Sequence, residues 1–338
     1  MEKIYFYCIL LILSLLSNLS KCNEDSIINR SISKLIGMVR MEIIDKSLLY
    51  LPKRKEVNIL QMVKQMTEAK EKYSLNEVES AYLVFKWIAQ NIIHNFYNEE
   101  SDEPITVYNS GWGNPKGISS LFNHMCMFLN VVSDSISGYL KFADFRDYDI
   151  KFDKEYIWNY IEINGEYYLV DVSMVAEFTS TYWSDYIYAF FGTEPEIFFR
   201  MHFPNESKWQ LLPEPYTFEK FKSMALLYPY FYLIGFKTIY PDTTKIIGSG
   251  EIILTSDKAI PELNVQFGWT KPGIDSDDLD WLDGPDGKIV IKYNVDKKKG
   301  LIQYLKLSPE YMNIVFPIVY YTTNYTYDAS LDFDNKFQ

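Results

Sequence analysis

The side chains able to do covalent or acid–base work are few in this chain: three histidines and three cysteines among 338 residues. Of Cys8, Cys22 and Cys126, only the last lies in a segment patterned like a folded domain. A thiol reacts as its thiolate, which needs a helix N-terminus or a neighbouring base to populate it. Cys126 lies nine residues beyond Gly117, roughly 13 Å down a helix that rises about 1.5 Å per residue. It reads as a small buried apolar residue. Ser119 and Ser120 are nearer the helix start but no base accompanies them, so they read as helix-start or capping residues. His94 and His124 fall in segments read as helices, off the main apolar face, and His202 lies in His202-Phe-Pro204. None has the spacing to cysteine or carboxylate that zinc requires, so no metal site is expected and the three histidines read as structural or solvated.

Another chemically suggestive pair comes from a hairpin. Tyr156-Ile-Trp-Asn-Tyr-Ile-Glu-Ile163 and Glu166-Tyr-Tyr-Leu-Val-Asp-Val172 flank Asn164-Gly165, the sequence of a two-residue type I′ turn. That turn sets Ile163 opposite Glu166, Ile161 opposite Tyr168, Trp158 opposite Asp171 and Tyr156 opposite Ser173. Tyr156, Trp158, Asp171 and Ser173 then share a face, with Tyr156 and Asp171 as diagonal neighbours.

The positioning elements follow from periodicity. Ile59, Leu60, Val63 and Met66 fit one helical face. Ser74-Leu-Asn-Glu77 has capping-box spacing before an amphipathic helix through Ala81, Phe85, Ile88 and Ile92. Gly111, Gly113, Pro115 and Gly117 punctuate a stretch read as irregular. Leu121, Phe122, Met125 and Leu129 follow at helical spacing, so a glycine-rich loop feeds a buried helix. A strand is expected over Ile136 to Leu140, and a helix through Phe218 and Phe221. Beyond about residue 231, alternating runs at Gly250 to Thr255, Glu262 to Trp269, Lys288 to Val295 and Ile314 to Thr322 read as an antiparallel β domain. Ser26 to Ile44 shows no clear period.

Together, Tyr82 to Asn95, Val107 to Phe122, Met125 to Leu129, Trp158-Asn159, Val170-Asp-Val172 and Pro195 through His202-Phe-Pro204 to Leu212 resemble the transglutaminase-like domain of kyphoscoliosis peptidase-type proteins. The resemblance runs roughly from Leu51 to Pro213. It implies an α+β, papain-like core, helices packed on an antiparallel sheet, with a Cys-His-Asp triad. In such a triad a thiol at a helix N-terminus gives its proton to a histidine that an aspartate orients. Carried across residue by residue, the cysteine position is Pro115, the histidine position Tyr156 and the aspartate position Asp171. Proline offers no nucleophile, and a phenol of pKa about 10 is a poor base near neutrality.

Composition bounds the rest. A 48% hydrophobic chain of this length can form about two domains. The expected division is a signal peptide over 1–22, an N-terminal segment over 23–50, a transglutaminase-like domain over 51–230 and a β-rich domain over 231–338. The apolar run Ile4 to Leu16 is too short to span a membrane and reads as a secretory h-region, so the chain is expected to be secreted without a membrane anchor. Asn29, Asn205 and Asn324 begin acceptor sequons consistent with that route. A net charge of -12 disfavours nucleic acid as a partner. Asp275, Asp277, Asp278, Asp280, Asp283 and Asp286 fail the order of a calcium loop, since Leu279 and Leu282 interrupt it. The expectation is a pseudoenzyme with no cofactor that binds protein or peptide through a relic groove lined by Trp112, Tyr156, Trp158, Asn159 and Asp171. The rival expectations are an altered peptidase or acyl transferase with another nucleophile, and a purely structural extracellular protein whose cleft Tyr156 and Trp112 fill.

Overall fold

The computed structural model describes residues 32–95, 102–144, 149–178, 187–233 and 235–256, with strands within 263–268, 281–284, 288–294, 304–309 and 319–322. The segment expected to be a signal peptide, Asn29, Asn324 and most of the acidic run after Asp275 lie outside these residues.

Three helices open the described chain: α1 (Met41–Tyr50), α2 (Ile59–Tyr73) and α3 (Glu77–Asn91). α1 begins inside the stretch that shows no sequence period. The α3 start also differs from expectation. Asn76, not Ser74, is the cap: its side chain accepts from the Glu79 amide, and Glu79 returns to the Asn76 amide. Ser74 instead ends α2 in the left-handed region at φ 49°. Asn is at least as good a cap as Ser, and its spacing to Glu79 satisfies the same reciprocal box.

The glycine-punctuated stretch is more regular than its composition implies. Just after α4 (Pro104–Ser110) it holds a two-residue strand β2 (Trp112–Gly113) parallel to β1 (Ile93–His94), and the start of α5 (Pro115–Phe128). Proline at the first helical position loses no intrahelical bond. His94 therefore sits on a strand, not on a helix, and is buried.

A five-stranded antiparallel sheet follows, ordered β6-β5-β4-β3-β7, from β3 (Val132–Asp144), β4 (Asp149–Ile163), β5 (Glu166–Val170), β6 (Phe191–Thr193) and β7 (His202–Pro204). α6 (Val172–Phe178) and α7 (Pro195–Phe198) fall between its later strands. The hairpin turn is as expected: Asn164 and Gly165 have φ of 53° and 81°, and Ile163 faces Glu166 and Ile161 faces Tyr168. The ladder stops at Asn159 opposite Val170, one residue before the expected Trp158–Asp171 pair and three before the expected Tyr156–Ser173 pair. Ser173 lies on α6, because Asp171 turns the chain out of the sheet and into that helix.

After α8 (Phe218–Ser223), β8 (Leu226–Leu227) and α9 (Pro229–Leu233), the described elements are strands. β9 (Phe236–Tyr240), β10 (Ser249–Ser256), β12 (Trp281–Gly284) and β13 (Lys288–Asn294) form one antiparallel sheet. β11 (Leu263–Gly268), β14 (Tyr304–Pro309) and β15 (Val319–Thr322) form another, which β8 completes by pairing with β15. The α+β core with a β-rich C-terminal part is thus the architecture observed. Ile252, Leu254, Ile289 and Ile291 of these strands belong to the same buried apolar cluster as α3 and α5.

Candidate functional site

The N-terminus of α5 holds Pro115, the position that the sequence resemblance assigns to a nucleophile. Asn114 caps it, its side-chain oxygen accepting from the Gly117 amide at 2.8 Å, and its Nδ2 donates to Asp102 at 3.3 Å. Lys116 pairs with the other Asp102 oxygen at 2.6 Å. Pro115 fills the first helical position, and its carbonyl accepts from the Ser173 hydroxyl at 3.2 Å. The helix start is therefore tied to α6, two residues from Asp171.

Asp171 is a hub. Its Oδ1 accepts from the Met174 amide at 2.8 Å, which makes it the N-cap of α6. The Tyr156 hydroxyl lies 3.2 and 3.1 Å from the two carboxylate oxygens, so the expected neighbours do meet, from the end of β4 to the start of α6. The remaining partner was not anticipated: Nε2 of His202 stands 2.7 Å from Oδ2, while its Nδ1 lies 3.2 Å from the Phe198 carbonyl. Both ring nitrogens thus face oxygen atoms. The ring stacks on Phe198 at 3.9 Å and meets Trp158 edge-on at 5.2 Å.

His202 arrives there because β7 pairs with β3, with Leu140 opposite His202 and Gly138 opposite Pro204, while Gly138 also faces Tyr156 on β4. A Cβ on Gly138 would lie 2.2 Å from the Phe203 carbonyl and 2.7 Å from Trp158. Only glycine lets β7 approach so closely. The sequence signal for this histidine was limited to the His-Phe-Pro triplet, because β7 and Asp171 are joined by a pairing with no local period to announce it.

His94 is the second histidine of the neighbourhood. Burial holds its imidazole below the usual histidine range, at about 4, and the Asp171 carboxylate partly opposes that shift. His124 is half-buried on α5, its basicity lowered by burial.

The hydroxyls near the loop face no base. Ser119 is buried, with its hydroxyl 2.8 Å from that of Ser135, and Asn159 Nδ2 donates to the Ser119 hydroxyl at 2.8 Å and to Asn123 at 2.9 Å. Asn159 thus staples β4 to α5. Ser119 and Ser120 stand inside α5, beyond its cap, rather than serving as the cap. Cys126 is free and fully buried, and burial pushes its thiol pKa upward. Among the described residues no group of histidine, cysteine and carboxylates could hold a metal ion. No described helix is long and apolar enough to cross a membrane.

Of the residues expected to line a groove, Tyr156, Asn159 and Asp171 are completely buried and Trp158 is 1% exposed. Trp112 is half-buried. Tyr156 fills space beside Asp171 and His202, and Trp158 is enclosed by Phe198 and His202.

An antiparallel sheet backed by α5, with Asp171 just past the end of β5 beside the N-terminus of that helix, is a papain-like, transglutaminase-like α+β arrangement. Comparison with known proteins supports a kinship with kyphoscoliosis peptidase-type proteins over about half of this chain. Kyphoscoliosis peptidase of Homo sapiens is 25% identical over 200 residues, covering 55% of this chain and 30% of that protein. The Mus musculus protein of the same name is 25% identical over 201 residues, with 56% and 30% covered. The chain thus spans under a third of the length of these relatives. No protein-family model matches it. Among solved structures, a cysteine-protease candidate from Cytophaga hutchinsonii aligns over 39% of this chain and 42% of its own, at 16% identity and TM-score 0.25. A protease candidate from Parabacteroides distasonis aligns over 38% and 28%, at 17% identity and TM-score 0.24.

Proposed function

We propose that this chain is a secreted, catalytically inactive transglutaminase-like domain that works by binding protein or peptide. The observation that carries the reading is the pairing of Pro115 at the nucleophile position with Tyr156 at the histidine position. The first has no group to attack a carbonyl, and the second donates its proton to Asp171 instead of accepting one. Among the described residues, the Ser119 hydroxyl near the start of α5 is bonded to Ser135 and Asn159 and not to a base. Secretion rests on the apolar run near the N-terminus and on the sequons. Asn205, the sequon residue that is described, is exposed after β7.

One observation favours a purely structural extracellular role as a second reading: the burial of Tyr156, Trp158, Asn159 and Asp171 leaves little of the expected groove open.

The test incubates the purified protein with amine donors, glutamine-containing acceptors and a peptide library, beside a Pro115→Cys, Tyr156→His double variant. Silence from the native sequence is expected. Turnover by it would overturn the inactive reading. Activity confined to the double variant would show that only the covalent groups are missing. Capture of a peptide by the native chain separates the binding reading from the structural one.

A further inference from the structure

The outer end of the five-stranded sheet carries a cluster of rings that the triad region does not use. Tyr160 and Trp209 stack with ring centres 4.5 Å apart and an interplanar angle of 20°. Tyr167 stands edge-on to both, at 5.3 Å from Tyr160 and 5.4 Å from Trp209. Tyr160 and Trp209 are half-buried, whereas Tyr167 is 44% exposed. The register sets the charges among these rings. Asp134 of β3 lies opposite Tyr160, and Glu162 of β4 lies between Val132 and Tyr167 on the neighbouring strands. Directly opposite residues of an antiparallel pair project to one face. Val132, Asp134, Tyr160, Glu162 and Tyr167 therefore share a surface, and Val132 on it is 54% exposed.

The electrostatics of this face are one-sided. Burial raises the Tyr160 phenol, with Asp134, Tyr167 and Glu162 adding to the rise and Lys208 opposing it. Lys208 is already engaged, 2.8 Å from Glu206 and 5.2 Å above the Trp209 ring. The face thus offers two carboxylates and exposed aromatic surface, and it already holds one cation of its own against a ring. Its complement is a planar cation: a guanidinium can lie on the Tyr167 ring while its N–H fork reaches the Glu162 carboxylate. A lysine ammonium could make the charge contact but has no plane to stack.

We infer that the face formed by Asp134, Tyr160, Glu162, Tyr167 and Trp209 docks an arginine-bearing segment of a protein or peptide partner. This deepens the binding reading and rests on it, and it places the contact at the hairpin end of the sheet face rather than in the closed triad region.

The experiment titrates the full chain into a fluorescently labelled peptide of arginines spaced by glycine and serine, followed by anisotropy. A lysine peptide of the same spacing and a glutamate peptide run alongside. Arginine is expected to bind more tightly than lysine, and the glutamate peptide not at all. Tyr167→Ala and Glu162→Gln are each expected to weaken arginine binding by about 2- to 5-fold. Glu42→Gln with Glu71→Gln, exposed on α1 and α2, should leave it within experimental error. Melting curves check that each variant is folded, and the conservative Glu162→Gln serves if Tyr167→Ala is not. Equal losses from the remote pair would mean diffuse attraction to an acidic chain and would overturn the inference. So would no binding, or equal affinity for arginine and lysine. Binding that survives every variant on this face also overturns it while leaving the binding reading standing. Turnover in the amine and glutamine assay would strike the inactive reading without altering the titration.

Discussion

The imidazole of His202 and the carboxylate of Asp171 approach to 2.7 Å with both side chains withdrawn from solvent. The pair joins β7 to the N-cap of α6 across the sheet. Removing the imidazole takes from the buried Asp171 carboxylate its shortest side-chain hydrogen bond, at a cost of about 1–3 kcal/mol. His202→Ala is therefore expected to lower the unfolding free energy by that order in a urea titration. Tyr156→Phe should cost about 1–2 kcal/mol, because Asp171 keeps His202 and the Met174 amide. A His202→Ala variant as stable as the parent would show that the pair contributes nothing net.

Gly138 is expected to tolerate no side chain. Its added Cβ would meet the Phe203 carbonyl at 2.2 Å and the Pro204 Cα at 2.8 Å, both backbone atoms that cannot rotate away. Gly138→Ala must push β7 off β3, and overpacking of this kind costs about 1–3 kcal/mol. The variant should also weaken the His202–Asp171 contact. Thermal melts of Gly138→Ala, His202→Ala and the double variant check this, with losses less than additive expected.

Lys141 should make stability rise with pH. Its side chain is fully buried, Nζ donating to the Phe221 and Met224 carbonyls at 2.7 and 2.9 Å. Burial, aided by Arg200 and opposed by Asp242, lowers its pKa from 10.5 to about 7. Two acceptors match the two hydrogens of a neutral amine. Between those values the unfolded chain binds the proton and the folded chain does not. Stability therefore falls as pH drops from 10.5 towards 7, by up to about 1.4 kcal/mol per pH unit. Above pH 10 the buried phenols of Tyr82 and Tyr230, whose pKa values burial raises, act in the opposite sense. Urea titrations from pH 7 to 10 should show the rise in the parent and a flatter profile in Lys141→Met.

His94 sets a separate acid-side window. Its folded pKa of about 4 lies below the ordinary 6.5, so the unfolded chain takes up the proton first. Stability is lost as pH falls from 6.5 to 4 and is unaffected by this group above that range. His94→Gln should flatten that part of the profile. In NMR titrations the His94 ring resonances should not move above pH 5.5; movement centred near 6.5 would contradict the burial.

The parts of this structure that can be read from sequence are those fixed by local rules. Asn164-Gly165 dictated a turn, and the turn dictated the pairing from Ile163–Glu166 back to Asn159–Val170. The apolar period of α5 and the alternating runs after residue 249 likewise located a helix and strands. Failures came where two local devices compete or where contact is long-range. Ser74 and Asn76 both begin capping patterns, and Asn76 is the one used. The meeting of Tyr156 with Asp171 was readable because one hairpin supplies both. His202 was not, since its place depends on Gly138 admitting a distant strand. Burial of the expected groove residues was equally hidden, because α7 and β7, which close over Trp158, come from beyond the hairpin.

The cap that Asp171 provides for α6 sets an order in which such a site can decay. A helix accepts proline at its first position readily, and a tyrosine at position 156 reaches the carboxylate. Neither residue need unsettle the fold. The aspartate has no such freedom, because the start of a helix and a buried histidine both depend on it. Selection for folding alone would retain it with or without chemistry, so an aspartate at this position in a relative is no testimony that the relative is an enzyme.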